Sequence, residues 1–289
     1  MVGASAAEVD GRREVGSLWV FTFDGTHWVE QVRLSPAGSA DEYGFGGSVA
    51  LTADQLFVGA GGFPLATSGN VGGVYVFDRA ATGSWPLVQV ITNPSPGPDY
   101  FGGVVVDGDT LVVSAAYDDD PGPDASGSVY VYERGPGGWS LSETLRAATP
   151  ADYGRYGQAT AIDGDRIAVM SADGVEVWER ATASGTGAGW QRTATLPDAS
   201  EGGLALSGTR LIAGQPLRDS FGVATGGMYV YDLVGGVWSE PTVVAPSLRH
   251  MSDRFATELV LVDADHGVAI APAGLAGPRE GRVFWFEAR

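Results

Sequence analysis

The stretch that decides the fold runs from Asp99 to Leu145 and reads DYFGGVVVDGDTLVVSAAYDDDPGPDASGSVYVYERGPGGWSLSETL. It opens with an acidic residue and the pair Phe101-Gly102. Two apolar runs, Val104 to Val106 and Leu111 to Val113, flank the turn Asp107-Gly108-Asp109. An Asp-Gly pair between β-branched runs marks a hairpin, because the primed turns need a positive φ that glycine adopts without strain. A polar loop leads to the alternating run Gly127-Ser128-Val129-Tyr130-Val131-Tyr132, and Trp139 then opens a fourth segment. The whole stretch reads as four short antiparallel strands.

Working outward from it, the same landmarks recur along the chain. The Gly that begins the aromatic run has six copies, at Gly16, Gly73, Gly127, Gly174, Gly227 and Gly281. A Trp follows most of them, at Trp28, Trp85, Trp139, Trp190 and Trp238, spaced by 57, 54, 51 and 48 residues. The acidic opening recurs as Asp41 with Phe45-Gly46, Asp152 with Tyr156-Gly157 and, in weaker form, Asp253 with Phe255. Glu201-Gly202-Gly203 is a degenerate copy, and the hairpin turn returns at Asp163-Gly164-Asp165 and Ser207-Gly208. No window sustains a 3.6-residue apolar period, so almost no helix is expected. A four-stranded unit of this length cannot cover both of its faces alone; radial stacking on its neighbours does so and leaves only short edges.

The reading is therefore an all-β protein, a β-propeller of four-stranded antiparallel blades with six blade-like units, five or seven being compatible with the same pattern. The units run approximately 1–40 (partial), 41–98, 99–151, 152–200, 201–252 and 253–289 (partial), within one domain over 1–289. Val2-Gly3-Ala4 aligns with Val58-Gly59-Ala60, so the first segment begins at the end of a strand two, and the last unit stops in its third strand. The Gly-His and Trp-Asp pairs of WD40 arrays and the double glycine of kelch arrays are missing.

Composition narrows the function classes. All 17 basic residues are Arg, and against 35 Asp and Glu they leave a formal charge of −18, which argues against nucleic acid as a partner. There is no Cys, so thiolate metal sites and disulfides are excluded. No apolar run reaches the ~18–20 residues of a membrane helix, so no membrane insertion is expected. Met1 to Gly16 has neither a basic n-region nor an apolar h-region, so a signal sequence is not expected within this chain.

The opening Phe-Gly, the Val58-Gly59-Ala60 at the end of strand two and the Gly73-Val74-Tyr75-Val76-Phe77 of strand three resemble the FG-GAP repeat of integrin α-subunit propellers and of many bacterial surface and secreted proteins. The resemblance covers nearly the whole chain and is strongest over Asp41 to Trp85 and Asp99 to Trp139. It implies a non-catalytic recognition or adhesion module at the cell surface or outside the cell, binding a protein or a glycan, and a monomer is expected. The family's calcium-binding members carry an expanded acidic loop between strands one and two. Here that turn offers two carboxylates at most, as in Asp107 with Asp109 or Asp263 with Asp265, against the six to eight oxygens that calcium takes. Integrin-type calcium sites are not carried over.

In an antiparallel blade the two-to-three and four-to-one connections emerge on one face, and here those loops are the long ones. Function is more often grafted on loops than on the strands beneath. The densest polar feature is Tyr117-Asp118-Asp119-Asp120-Pro121-Gly122-Pro123-Asp124, where Asp118, Asp120 and Asp124 are the candidate ligands for a calcium ion, the only cofactor the sequence allows for. A solvated acidic loop held by turn prolines is the other reading. Candidate ligand-binding residues on this face are Tyr43, Tyr100, Tyr117, Tyr153, Arg155, Tyr156, Arg218 and Arg249: aromatic rings for stacking and cations for anchoring an anion, or else packing between blades and ion pairs with nearby Asp. The three His, at His27, His250 and His266, are scattered, and no nucleophile elbow or phosphate loop is present, so no catalytic residue is expected. The alternatives to a recognition module are a glycan-active lyase or hydrolase domain and a structural segment of a larger surface protein.

Overall fold

The structure, a computed structural model, describes residues 1–9, 11, 15–36, 44–61, 72–95, 97, 99–181, 189–197, 199, 201–217, 226–245, 255–261, 266–271 and 282–287. Among them there is no helix, and 23 strands form six antiparallel sheets. The first sheet holds β1 (Val2–Ala4), β2 (Ser17–Phe23) and β3 (Trp28–Leu34). The second holds β4 (Phe45–Leu51), β5 (Gln55–Ala60), β6 (Gly73–Asp78) and β7 (Leu87–Thr92). The third holds β8 (Gly103–Asp107), β9 (Thr110–Ala115), β10 (Ser128–Gly135) and β11 (Gly138–Leu145). The fourth holds β12 (Ala159–Asp163), β13 (Arg166–Ser171), β14 (Gly174–Arg180) and β15 (Trp190–Leu196). In the fifth, β16 (Leu204–Ser207), β17 (Arg210–Gln215) and β18 (Gly227–Val234) are followed by β19 (Val237–Trp238) and β20 (Thr242–Val244), which both pair with β18 as one interrupted fourth strand. The sixth holds β21 (Glu258–Leu261), β22 (His266–Ala271) and β23 (Arg282–Glu287).

Each sheet is a meander in sequence order and each is a blade of a β-propeller. The first lacks a strand one, because β1 takes the place that β5 and β9 take in the next two blades. The turns between strands one and two are two residues long at Gly108-Asp109, Gly164-Asp165 and Gly208-Thr209. Their glycines have φ of 54–56°, the positive value that a type II′ turn places at its first central residue. The chain divides into two compact units, Met1–Tyr156 and Gly157–Arg289.

Within each unit, successive blades meet along a repeated backbone contact. Gly16, Gly72, Gly127 and Gly226, just ahead of strand three in the first, second, third and fifth blades, have φ of 90°, 80°, 85° and 81°. A Cβ at any of them would overlap the backbone of Phe45, Phe101, Tyr156 or Phe255, the aromatic that opens the following repeat. A second contact runs beside the first: Gly3 lies against Gly46, Gly59 against Gly102, and Gly214 against Ala256, again closer than a Cβ permits. The glycines of the two halves of the repeat are thus one another's neighbours across the blade junction, which is why both recur.

Side chains fill the space that these contacts define. In the first unit, Leu18, Phe45, Leu56, Val58, Tyr75 and Phe77 form one buried cluster between the first and second blades, and Phe57, Val74, Phe101, Leu111, Tyr130 and Trp139 form another between the second and third. In the second unit Val175, Val177, Leu204, Leu211 and Tyr231 join the fourth blade to the fifth, and Ile212, Met228, Phe255 and Leu259 join the fifth to the sixth. The strand-four Trp is the repeated anchor. Trp139 packs edge-on against Phe57 of the blade before it at 5.3 Å, and its indole N–H donates to Gln55 Oε1 at 2.9 Å. Gln89 of the same preceding blade brackets it, accepting from Trp139 N (2.9 Å) and donating to Trp139 O (2.7 Å). Trp85 and Trp238 are packed in the same direction, and Trp190 is buried. Trp28 is the exception, 70 % exposed, with the Phe23 ring as its aromatic neighbour at 5.4 Å.

The contrast is testable. Trp139→Ala is expected to cost about 3–5 kcal/mol, the loss of a fully packed aromatic, while Trp28→Ala stays within ~0.5 kcal/mol as an exposed substitution does. Urea unfolding of the two variants measures the difference.

Candidate functional site

The long loop of the third blade, between β9 and β10, is closed at its neck by two backbone hydrogen bonds: Asp118 N donates to Ala115 O (3.1 Å) and Gly127 N to Asp118 O (2.9 Å). These turn the Asp118 side chain inward, where it is 1 % exposed. Its carboxylate accepts from Ser95 Oγ (3.0 Å), from the Asp120 N–H (3.0 Å) and from the Tyr130 hydroxyl (2.7 Å). Ser95 belongs to the crossing from the second blade to the third, so one carboxylate pins crossing, loop and strand three together. Asp99 lies beside it, equally buried, accepting from Asn93 Nδ2 at 2.8 Å, and its backbone carbonyl takes the Tyr117 N–H. Burial lifts the Asp99 carboxyl above the usual carboxylate range, the Asn93 hydrogen bond opposes this, and the neighbouring Asp118 adds to the lift. Burial and the bond to Asp118 push the Tyr130 hydroxyl far above its ordinary value, so it remains a donor.

The acidic residues that converge are Asp99, Asp118 and Asp119, each offering a carboxylate oxygen within 4.8 Å of the others. This set shares only Asp118 with the trio read from the sequence. Asp120 and Asp124 are exposed, and what they give the loop is backbone: the Asp120 carbonyl accepts from Arg146 (2.9 Å) and the Asp124 carbonyl from Tyr153 N (2.7 Å). Three carboxylates fall short of the six to eight oxygens of a calcium site, and two of the three already accept protein donors. What the arrangement does is clamp the loop. Asp99 was legible only as a repeat landmark, and its partners Asn93 and Ser95 carried no signal at all.

The same clamp positions an aromatic surface. The Tyr100 and Tyr117 rings pack together with centroids 4.6 Å apart and planes tilted by 37°, and the Arg155 guanidinium lies over the Tyr117 ring, 5.5 Å from its centroid. Arg155 is delivered by a zipper of backbone bonds, in which Tyr153 N, Arg155 N and Tyr156 N donate to the carbonyls of Asp124, Ala125 and Ser126 at 2.7, 3.1 and 2.9 Å. Tyr100, Tyr153 and Arg155 sit at φ of 57°, 57° and 49°, a conformation that costs residues other than glycine about 1–3 kcal/mol and clusters at functional segments. Tyr117 is 37 % and Tyr153 62 % exposed, and Arg155 is exposed. Tyr156 is fully buried in the junction opposite Gly127 and has no surface to offer. Tyr43, Arg218 and Arg249 lie outside the described residues.

On the same face of the first unit, Tyr100 also lines an open cavity of about 270 Å³, together with Ser5, Gly44, Gly47, Ser48, Gly61, Gly102 and Gly103. Five of the eight lining residues have no side chain. Ser48 Oγ accepts the Val104 N–H at 2.9 Å, which leaves its hydroxyl proton to donate.

If the Asp118 carboxylate is a clamp, Asp118→Ala strands the Tyr130 and Ser95 hydroxyls and is expected to destabilise the protein by about 2–4 kcal/mol. Asp124→Ala, which removes an exposed carboxylate, is expected to change stability by less than ~0.5 kcal/mol. Urea unfolding of both variants checks this.

The comparisons with known proteins agree with the fold. The FG-GAP repeat family matches residues 96–132, the segment that runs from the crossing through the clamped loop into strand three. No curated protein sequence matches the chain. Among solved structures, a Bacteroides fragilis protein provisionally assigned as a 6-phosphogluconolactonase superposes with a TM-score of 0.57 at 12 % identity, over 96 % of this chain and 79 % of that one. A Lactobacillus plantarum protein gives 0.52 at 13 % identity (98 % and 80 % covered). A functionally unknown protein from Desulfotomaculum acetoxidans gives 0.53 at 9 % identity (94 % and 83 % covered). At such identities the likeness is one of fold. Residues 96–132 are thus similar to an FG-GAP repeat and lie within one of six antiparallel sheets of a β-propeller.

Proposed function

We propose that the protein is a non-catalytic recognition module, working outside the cell or on its surface, that binds a protein or glycan through the long-loop face. The observation that carries this reading is the stack of Tyr100, Tyr117 and Arg155: partly exposed aromatic area, capped by a cation, on a backbone held in a strained conformation by hydrogen bonds from two repeats. Exposed Tyr and Arg held rigid are the side chains that dominate binding hot spots, because they bring large area at little ordering cost. The FG-GAP repeat itself, found in surface and secreted proteins, supports the same location. The charge of −18 fits an exposed, soluble surface and disfavours polyanions as partners.

A sugar-phosphate lactonase, the activity assigned provisionally to one structural neighbour, would call for cations around its anionic substrate. The cavity on this face is lined, among the described residues, by serines, glycines and one tyrosine. That lining suits binding rather than phosphate chemistry.

Immobilised protein assayed against arrays of oligosaccharides and of extracellular proteins is expected to show saturable binding to at least one probe. Replacing both Tyr117 and Arg155 with Ala is expected to weaken it at least about tenfold, as the loss of a hot spot does. Binding unmoved by the double substitution would overturn the placement of the surface, and lactone hydrolysis by the parent protein would overturn the non-catalytic reading.

A further inference from the structure

We propose that the glycine-lined cavity beside Tyr100 is a sugar subsite that takes one neutral pyranose residue; this rests on the recognition reading above and gives it a ligand class. The cavity exists because side chains are missing, and most of the missing ones are accounted for by the backbone. Gly44 and Gly102 have φ of 80° and 153°. A Cβ at Gly103 would strike Ser114 Oγ, and one at Gly47 would come within 3.1 Å of the Gly44 carbonyl. Gly61 is different. Its φ is not positive, and the nearest atom to an added Cβ is the Tyr100 carbonyl oxygen at 3.6 Å, an ordinary contact. The fold tolerates a side chain there, and what its absence preserves is the open space.

Size, lining and charge then select the occupant. A volume of about 270 Å³ lies just below the ~300–1,000 Å³ of pockets that enclose drug-sized ligands, and suits a single sugar ring. Glycine backbone and Tyr100 give walls that a pyranose C–H face can lie against, and Ser5 and Ser48 are the hydroxyl-bearing residues available to its edge. No cation is among the described lining residues, the buried Asp99 carboxylate belongs to the residue next to Tyr100, and the protein is strongly acidic. An anionic sugar would meet repulsion without a partner, so the residue it takes is neutral. The Tyr117 and Arg155 surface, continuous with Tyr100, is placed to meet the next unit of a longer glycan.

The test uses a panel of methyl glycosides (glucoside, galactoside, mannoside and N-acetylglucosaminide) titrated into the whole chain and followed by ligand-observed NMR. Parent protein, Gly61→Ala and the Tyr117→Ala/Arg155→Ala double variant are compared, each with its melting temperature. At least one neutral methyl glycoside is expected to bind the parent. Gly61→Ala, with an unchanged melting temperature, is expected to weaken that binding about tenfold or more, the effect of crowding a methyl group into a filled site. The double variant is expected to keep monosaccharide binding and lose affinity for longer oligosaccharides. Array binding of a protein or glycan with no methyl glycoside bound, or with binding indifferent to Gly61→Ala, would overturn the subsite and leave the recognition reading standing. Absence of any partner on the arrays and of any glycoside would overturn both. Ser5→Ala, which removes a lining hydroxyl and adds no volume, is the second variant, judged by the same outcomes, should Gly61→Ala lower the melting temperature.

Discussion

Two blades of this protein can approach each other only as closely as their backbones allow, and at four repeats a glycine ahead of strand three sets that distance. Gly16, Gly72, Gly127 and Gly226 adopt a left-handed φ and touch the main chain of the next aromatic where a methyl group has no room. The contact is not an attraction of any strength. It is a steric permission, and its effect is to fix the spacing at which everything larger must fit. The aromatic rings of Phe45, Phe101 and Phe255 fill the wedge between sheets, and the strand-four Trp closes it from outside. The long loops emerge from strands whose relative positions have been settled by this backbone contact, and the surface they form inherits that rigidity.

The distribution of cations follows from the same geometry. With no Lys in the chain, every basic group is a planar guanidinium, able to bridge and to stack at once. Arg134 reaches from the third blade to Asp54 of the second at 2.7 Å. In the second unit Arg166 pairs with Glu179 of its own blade, donates to the Gly208 carbonyl of the next and lies over the Trp238 ring. Arg33, Arg180 and Arg192 cover Trp19, Trp190 and Trp178 within their own blades. Exposed pairs of this kind contribute little singly. They do, however, place charge where it shields aromatic area from water, which an acidic surface alone could not do.

The repeat was legible because it is built from features that sequence displays directly: Asp-Gly turns between β-branched runs, an aromatic-Gly opening, and a Trp at regular spacing. The four-stranded blades and the missing strand one of the first blade both follow from aligning Val2-Gly3-Ala4 with Val58-Gly59-Ala60. The pattern could not reveal that Trp28 stands exposed, since a local motif does not say which side chains will pack against it. The acidic loop shows a deeper limit. Counting carboxylates from Asp118 to Asp124 treats them as equivalent, whereas the neck hydrogen bonds turn Asp118 inward and leave Asp120 and Asp124 outside. The donors that satisfy it come from Ser95 and Tyr130, 23 and 12 residues away, and nothing in the local pattern names them. Likewise Tyr117 and Arg155 were separate candidates until the backbone zipper between residues 124–126 and 153–156 brought them together.

The second and third repeats each carry one half of two different junctions: the opening aromatic that completes the seam behind, and the strand-three glycine that begins the seam ahead. A unit excised or copied between any two equivalent points therefore carries a matching pair of half-seams with it. Such a scaffold can gain or lose a blade by duplication or deletion of a gene segment without inventing a new contact, while a loop such as 116–127 diverges freely within one copy. The glycine seam thus suits the blade to serve as the unit of duplication.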